Sequence, residues 1–325
     1  RAMSTPHAQN KTVGRQYYRQ QYTPQATTQS DRPAPQTVTD DYERWYTENV
    51  PNNRMVLALR SQIPSEINWA LDRILRLSRN EDFSLKKISG LRDALYEWPE
   101  WYVSDGLQTS NEMHSLFSVP PEVSTKRRHA LESLAVLRNA AMDPENRTEL
   151  LEHGHTMPLV FNGLTRLDPD YDEHVEFLFH LMELFRSLAS NYAVTANLVH
   201  TRWNPVPPLN FIAETSRNRS LILSSLTTLT DIFDNPLNTF LLSSGSPALA
   251  TALRYLPLFV DKPLVEACLD YLYVHLSHPA MAKAFLHHPE LSNTVRMLVN
   301  FILSEQVEET VTLEVMGAIH TAPAV

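Results

Sequence analysis

Asn235-Pro236-Leu237-Asn238, followed by Leu241-Leu242, is the stretch that decides the fold, because the chain repeats it. Asp143-Pro144-Glu145-Asn146 leads to Leu150-Leu151, Asn191-Tyr192-Ala193-Val194 leads to Leu198, and His278-Pro279-Ala280-Met281 leads to Phe285-Leu286. Positions 144, 192, 236 and 279 stand 48, 44 and 43 residues apart, and Arg79-Asn80-Glu81-Asp82 is a fainter, earlier copy. Each copy has a physical reading. A long apolar helix ends, a residue such as Asp143, Asn191 or Asn235 caps the next, and Pro144, Pro236 or Pro279 fills its first turn. Capping explains the pattern without any catalytic role.

A period in the low to mid forties is that of armadillo and HEAT arrays, in which each helical unit buries its apolar face against its neighbours. The predicted fold is therefore all-α: an armadillo/HEAT-like right-handed helical-repeat solenoid of about five repeats over residues 41–322. Composition agrees. The 325 residues hold only 7 glycines, against roughly 23 at average usage. Phosphate-binding loops and doubly wound sheets spend glycine freely, and this chain does not. Residues 1–40, rich in Gln, Thr, Pro and Ser, have too little apolar surface to offset ordering entropy and read as a disordered tail. Tyr17, Tyr18 and Tyr22 are its large side chains.

Between the tail and the repeats, 41–46 begins an amphipathic stretch and Met55–Leu59 a short helix. Pro64-Ser65-Glu66 opens another, with Ser65 or a neighbour as cap, and a further helix is expected over 85–95. Residues 97–121, with Pro99, Asp105-Gly106 and Pro120-Pro121, read as a long loop.

The long helices carry the functional signal. In His174–Ala189 apolar residues nearly encircle the helix, and the exceptions Glu176, His180, Glu183 and Ser187 are spaced four, three and four. That spacing is one narrow stripe on a helix buried along both flanks. Glu266, Asp270, Tyr273 and Ser277 repeat it in 263–277, and Ser220, Ser224, Thr227 or Thr228, and Asp231 in 220–233. Arg128, Glu132 and Asn139 form a poorer copy. Such stripes belong on the innermost helices of a solenoid, where they line the concave surface used for partners. The candidate partner-binding residues are Glu176, His180, Glu183, Ser224, Thr228, Asp231, Glu266, Asp270 and Tyr273. With His180 neutral at pH 7, they predict an acidic groove for a basic helical or extended segment of another protein.

Other chemistry finds little footing. No phosphate loop or nucleophile elbow is present. The single cysteine, Cys268, sits in an apolar helix and reads as packing, which also fits a reducing compartment. His153-Gly154-His155 reads as a helix end, with Gly154 as the cap, and His287-His288 gives no metal site. Asp168, Asp170, Asp172 and Glu173 lack the glycine and terminal glutamate of a calcium loop. A net charge of −9, with Lys126-Arg127-Arg128 as the tight basic run, argues against duplex binding. No apolar run is long enough to cross a membrane. The start at Arg1-Ala2-Met3 reads as an internal boundary or a cloning scar. The expectation is a non-enzyme with no cofactor, no metal and no small-molecule substrate.

Arg54-Met55-Val56-Leu57-Ala58-Leu59-Arg60-Ser61-Gln62-Ile63-Pro64-Ser65-Glu66-Ile67-Asn68-Trp69-Ala70-Leu71, followed by Leu75-Arg76-Leu77-Ser78-Arg79-Asn80-Glu81, resembles one family. It is similar to the opening of the armadillo region in subunits of the fungal RSC complex. The animal counterparts are the AT-rich-interaction-domain subunits of the polybromo-containing SWI/SNF complex. About 40 residues carry the likeness sharply and about 280 loosely. The resemblance implies a nuclear scaffold contacting other remodeller core subunits and a basic helical segment of the ATPase. No AT-rich interaction domain is legible in residues 1–50, nor a winged-helix-type region downstream, so DNA targeting is expected outside this stretch. The other reading of the same solenoid is an adaptor of cytosolic signalling or transport that binds peptides in its groove.

Overall fold

The computed structural model describes residues 48–80, 82–104, 106 and 120–303, with side chains to 300. These all fall within one compact unit, 42–325. The tail 1–40, the stretch 41–46, most of the 97–121 loop and the chain past 303 lie outside the described residues. Within them the secondary structure is helical throughout.

The helices are α1 (Arg54–Leu59), α2 (Pro64–Leu77), α3 (Leu91–Val103), α4 (Pro121–Ala140), α5 (Pro144–Glu152), α6 (Thr156–Arg166) and α7 (Asp172–Ala189). They continue with α8 (Val206–Thr215), α9 (Arg219–Asp234), α10 (Pro247–Tyr255), α11 (Lys262–Ser277), α12 (Pro279–Phe285) and α13 (Leu291–Leu303). Single 3-10 turns at Leu85–Lys87, Ala196–Leu198 and Pro236–Leu241 stand where α5 and α12 stand in their own repeats. Each unit is thus a short anchor turn or helix, an outer helix and a long inner helix. The inner helices α2, α4, α7, α9 and α11 pack in sequence, each on the next. The outer helices α3, α6, α8 and α10 form a second layer, and each touches the inner helix that follows it. The core lies between the layers, filled by Tyr96, Phe161, Phe177, Phe185, Tyr271 and aliphatic side chains, all fully buried. This is the arrangement in which a repeat cannot bury its apolar face alone.

The anchor turns form as the sequence dictates in two of four copies. Asp143 accepts hydrogen bonds from the amides of Glu145 and Asn146, at 2.9 and 3.0 Å, with Pro144 opening α5. Asn235 accepts from Leu237 N at 3.0 Å, with Pro236 following. Asn191 does not cap: after α7 the chain runs irregularly before turning at Ala196. His278 precedes α12 without a side-chain cap, and Ile63, not Ser65, stands at the cap of α2.

Three other expectations are corrected. The helix placed at 85–95 is a 3-10 turn, then Gly90 at φ +78°, then α3. The left-handed backbone at Gly90 costs a Cβ-bearing residue about 1 kcal/mol, so α3 starts there and not earlier. The loop placed at 97–121 begins later, since α3 continues through Pro99 to Val103. Proline inside a helix forfeits a backbone hydrogen bond. Here Pro99, Tyr102 and Val103 are all buried, and this apolar face holds the last turns against α4 and α6. Gly154 is no left-handed cap either, because Gly90 is the positive-φ glycine among the described residues.

Candidate functional site

Side by side, the five inner helices present a largely polar face, and from α2 to α9 its residues are bonded from one helix to the next. Arg128 and His129 on α4 contact Asn68 Oδ1 on α2, at 2.9 and 2.7 Å. Asn139 donates to Ser78 Oγ at 3.0 Å. Arg138 on α4 donates to His180 Nδ1 on α7 at 2.7 Å. Ser224 on α9 donates to Glu183 Oε1 on α7 at 3.1 Å, and Arg186 pairs with Asp231 at 3.0 Å. The polar stripe therefore also fixes the register of neighbouring repeats.

That geometry sorts the nine candidate residues. Glu176 and Glu266 are exposed, Tyr273 is 39% exposed, and Asp270, Glu183, His180 and Asp231 are half-buried. Ser224 and Thr228 are fully buried, so the structure overturns their assignment to the open face. Both hydroxyls are satisfied internally, Ser224 on Glu183 and Thr228 on the Ser224 carbonyl at 2.6 Å. A hydroxyl that bonds back to the preceding turn can sit in a helix interface, so its polarity misreports its position. The open line on α9 is instead Ser220, Leu223, Thr227 and Asp231.

The charge is less uniformly acidic than the stripe alone suggests. Asp231 is neutralised by Arg186, and Glu132 lies 3.8 Å from Arg128. Burial, and then the Arg138 guanidinium, push the His180 pKa down to about 4, so the ring is neutral as expected. The exposed carboxylates among the nine are Glu176 on α7 and Glu266 on α11.

The remaining chemistry-bearing residues serve the fold. Cys268 is buried and its thiol is pushed up to about 12 by that burial, which leaves it inert. His153 pairs with Asp93 at 2.9 Å and His155 with Glu100 at 2.6 Å, tying the α5–α6 turn to α3. Asp168 accepts from the amide of Asp170, and Asp170 from the amide of Arg217 at 3.1 Å. Among the described residues no group of three or more His, Cys, Asp or Glu is placed to hold a metal ion. No helix among them is long and apolar enough to cross a membrane.

Sequence reasoning missed two asparagines. Asn146 is 1% exposed; its Nδ2 donates to Phe83 O at 2.6 Å and its Oδ1 accepts from Leu85 N at 2.8 Å. Asn238 is fully buried, donating to Tyr192 O and Ile232 O, both at 3.0 Å, and accepting from Val194 N at 2.8 Å. Each clamps the anchor backbone of the preceding repeat. The signal was available, for both stand three residues after their cap.

The fold defines a class: this is an armadillo-type helical-repeat solenoid with a polar inner face. Solved structures agree on the fold. A computationally designed armadillo repeat protein for modular peptide recognition superposes with a TM-score of 0.55 at 14% identity, covering 83% of this chain and 98% of that one. A designed armadillo repeat protein in complex with the peptide (KR)4 gives 0.55 at 15% identity, over 83% and 98%. Among curated proteins, the chain is similar to the chromatin structure-remodeling complex subunit rsc9 of Schizosaccharomyces pombe, 22% identical over 267 residues. That similarity covers 80% of this chain and 32% of the relative, so the chain spans about a third of its length. It points to the same complex as residues 54–81. No protein-family model matches the chain.

Proposed function

We propose that this chain is the armadillo-like scaffold region of a subunit of a SWI/SNF- or RSC-type ATP-dependent chromatin-remodelling complex, acting in the nucleus and without catalysis of its own. The observation that carries the reading is the 267-residue similarity to rsc9, which extends over most of the repeat array. On this reading the inner face holds other core subunits, and a basic helical segment of the ATPase subunit lies across α7, α9 and α11. Glu176, Glu183, Glu266 and Asp270 supply the negative charge, with Tyr273 as an aromatic contact beside them. Charge complementarity of this kind selects partners and sets register. The designed relative that holds (KR)4 makes a basic occupant reasonable for such a face. The net charge of −9 gives no support to direct DNA binding by these residues.

The test is affinity purification of the tagged chain from cells, with crosslinking mass spectrometry, beside the double variant Glu266→Lys/Asp270→Lys. The wild type is expected to bring down the remodeller ATPase and core subunits, and the variant to lose the ATPase crosslinks on α11. Absence of remodeller subunits from the wild-type sample would sink the complex assignment. An unchanged set of crosslinks in the variant would sink the groove.

A further inference from the structure

Of Arg76, Arg128, Arg138 and Arg186 on the inner helices, one is held differently from the other three. Arg76 pairs with Asp72 at 3.1 Å, Arg128 lies 3.8 Å from Glu132, and Arg186 pairs with Asp231 at 3.0 Å. Arg138 is held by neutral groups instead. One terminal nitrogen meets His180 Nδ1 at 2.7 Å and the other donates to Asn139 Oδ1 at 2.9 Å. Among the described residues no carboxylate pairs with it. Glu176 and Glu183 lie about one turn to either side of His180 on α7, but Glu183 is engaged by Ser224. His180 is neutral, since burial and Arg138 itself depress its pKa to about 4, so it orients the guanidinium without cancelling its charge. A half-buried, pre-oriented guanidinium with donors to spare is a seat for a planar anionic group.

We propose that Arg138 receives a carboxylate side chain of the bound segment, which is therefore bipolar: acidic over α4, basic toward Glu266 and Asp270 on α11. The inference rests on the groove reading above and adds an orientation to it. Inner helices α4, α7, α9 and α11 are successive neighbours. At about 9 Å per helix spacing the two ends lie roughly 27 Å apart. An extended segment covers that in about eight residues, at about 3.3 Å each. The acidic residue therefore sits just beyond one end of a basic stretch about the length of (KR)4.

Binding of three fluorescein-labelled peptides to the full 325-residue chain, measured by anisotropy, tests this: (KR)4, and (KR)4 with Glu-Glu added at either end. Added glutamates lower a peptide's positive charge and should weaken binding to a chain of net charge −9 if only bulk attraction matters. The expected result is that one extended peptide binds about tenfold tighter than (KR)4, as a charge-assisted fork contact warrants. Arg138→Gln should abolish that gain, so that neither extended peptide binds the variant more tightly than (KR)4 does, while (KR)4 itself binds no more weakly because a positive charge has left the face. Arg138→Lys, which keeps the charge but not the fork, should keep less than half of it and decides the matter if the glutamine variant unfolds.

Weaker binding of both extended peptides, or a gain that survives Arg138→Gln, overturns the assignment, as does failure of all three peptides to bind. If (KR)4 binding ignores Glu266→Lys/Asp270→Lys while an Arg138-dependent gain persists, the acidic half of the groove falls and the Arg138 seat stands.

Discussion

Replacing Asn238 by alanine should cost about 3 kcal/mol of stability without touching any apolar contact of consequence. The side chain is fully buried and makes three hydrogen bonds: from its amide nitrogen to the carbonyls of Tyr192 and Ile232, and to its oxygen from the Val194 amide. A hydrogen bond in a folded protein contributes a net of about 1 kcal/mol, and stranding a buried partner costs about 1–3 kcal/mol. Three lost bonds give about 3 kcal/mol, with water entering the vacated space holding the loss near that figure. Val194, whose amide the clamp holds, is itself 2% exposed, so its N–H has no ready access to solvent. Asn238→Asp is the sharper probe. An ionised carboxylate still accepts from Val194 but faces two carbonyl oxygens, so the loss at neutral pH should exceed that of alanine. Urea denaturation followed by circular dichroism measures the change, and hydrogen exchange of the Val194 amide localises it. A loss under about 1 kcal/mol, with Val194 protection unchanged, would refute the clamp.

Gly90→Ala should destabilise by about 1 kcal/mol, because φ is +78° there and Val56 Cγ1 would stand 3.5 Å from the new Cβ, close enough to touch but not to clash. A urea midpoint equal to wild type would remove that account of where α3 begins. Stability should also fall with acid. His129, His180 and His275 have pKa values pushed down to about 4, in each case chiefly by burial. The unfolded chain takes up protons near pH 6.5 while these folded rings stay neutral, so their contribution is complete above about pH 6.5 and is lost as pH falls toward 4. His275, with neither ring nitrogen bonded among the described residues, is the cleanest test: His275→Phe should flatten part of the decline in urea midpoint between pH 7 and 5. An identical decline in the variant would show that the ring is not the titrating group.

The array was legible because its punctuation is local. A cap, a proline and an encircled apolar helix are each a matter of neighbouring residues, and α4, α7, α9 and α11 contain the segments the pattern marked. The polar face was legible only where charge enforced exposure, as at Glu176 and Glu266. On α9 small hydroxyls mislead: Ser224 and Thr228 can satisfy themselves inside a helix interface, and only packing reveals that Thr227 is the open one. Pro99 misled in the opposite direction, since a local breaker was outweighed by burial of Tyr102 and Val103. Arg138 and Arg186 were invisible as members of the face because their partners, His180 and Asp231, lie one whole repeat away.

The two asparagine clamps have a mechanical consequence. Asn146 pins the 143–152 anchor to the backbone at Phe83 and Leu85, and Asn238 pins the 235–241 anchor to that at Tyr192 and Val194. In the anchors at 191 and 278, Val194 and Met281 occupy the places of the two asparagines. Along that edge the array therefore alternates stiff joints with compliant ones. Strain applied by a seated partner would collect at the compliant joints, so the face would widen in steps of whole repeat pairs and not by even bending.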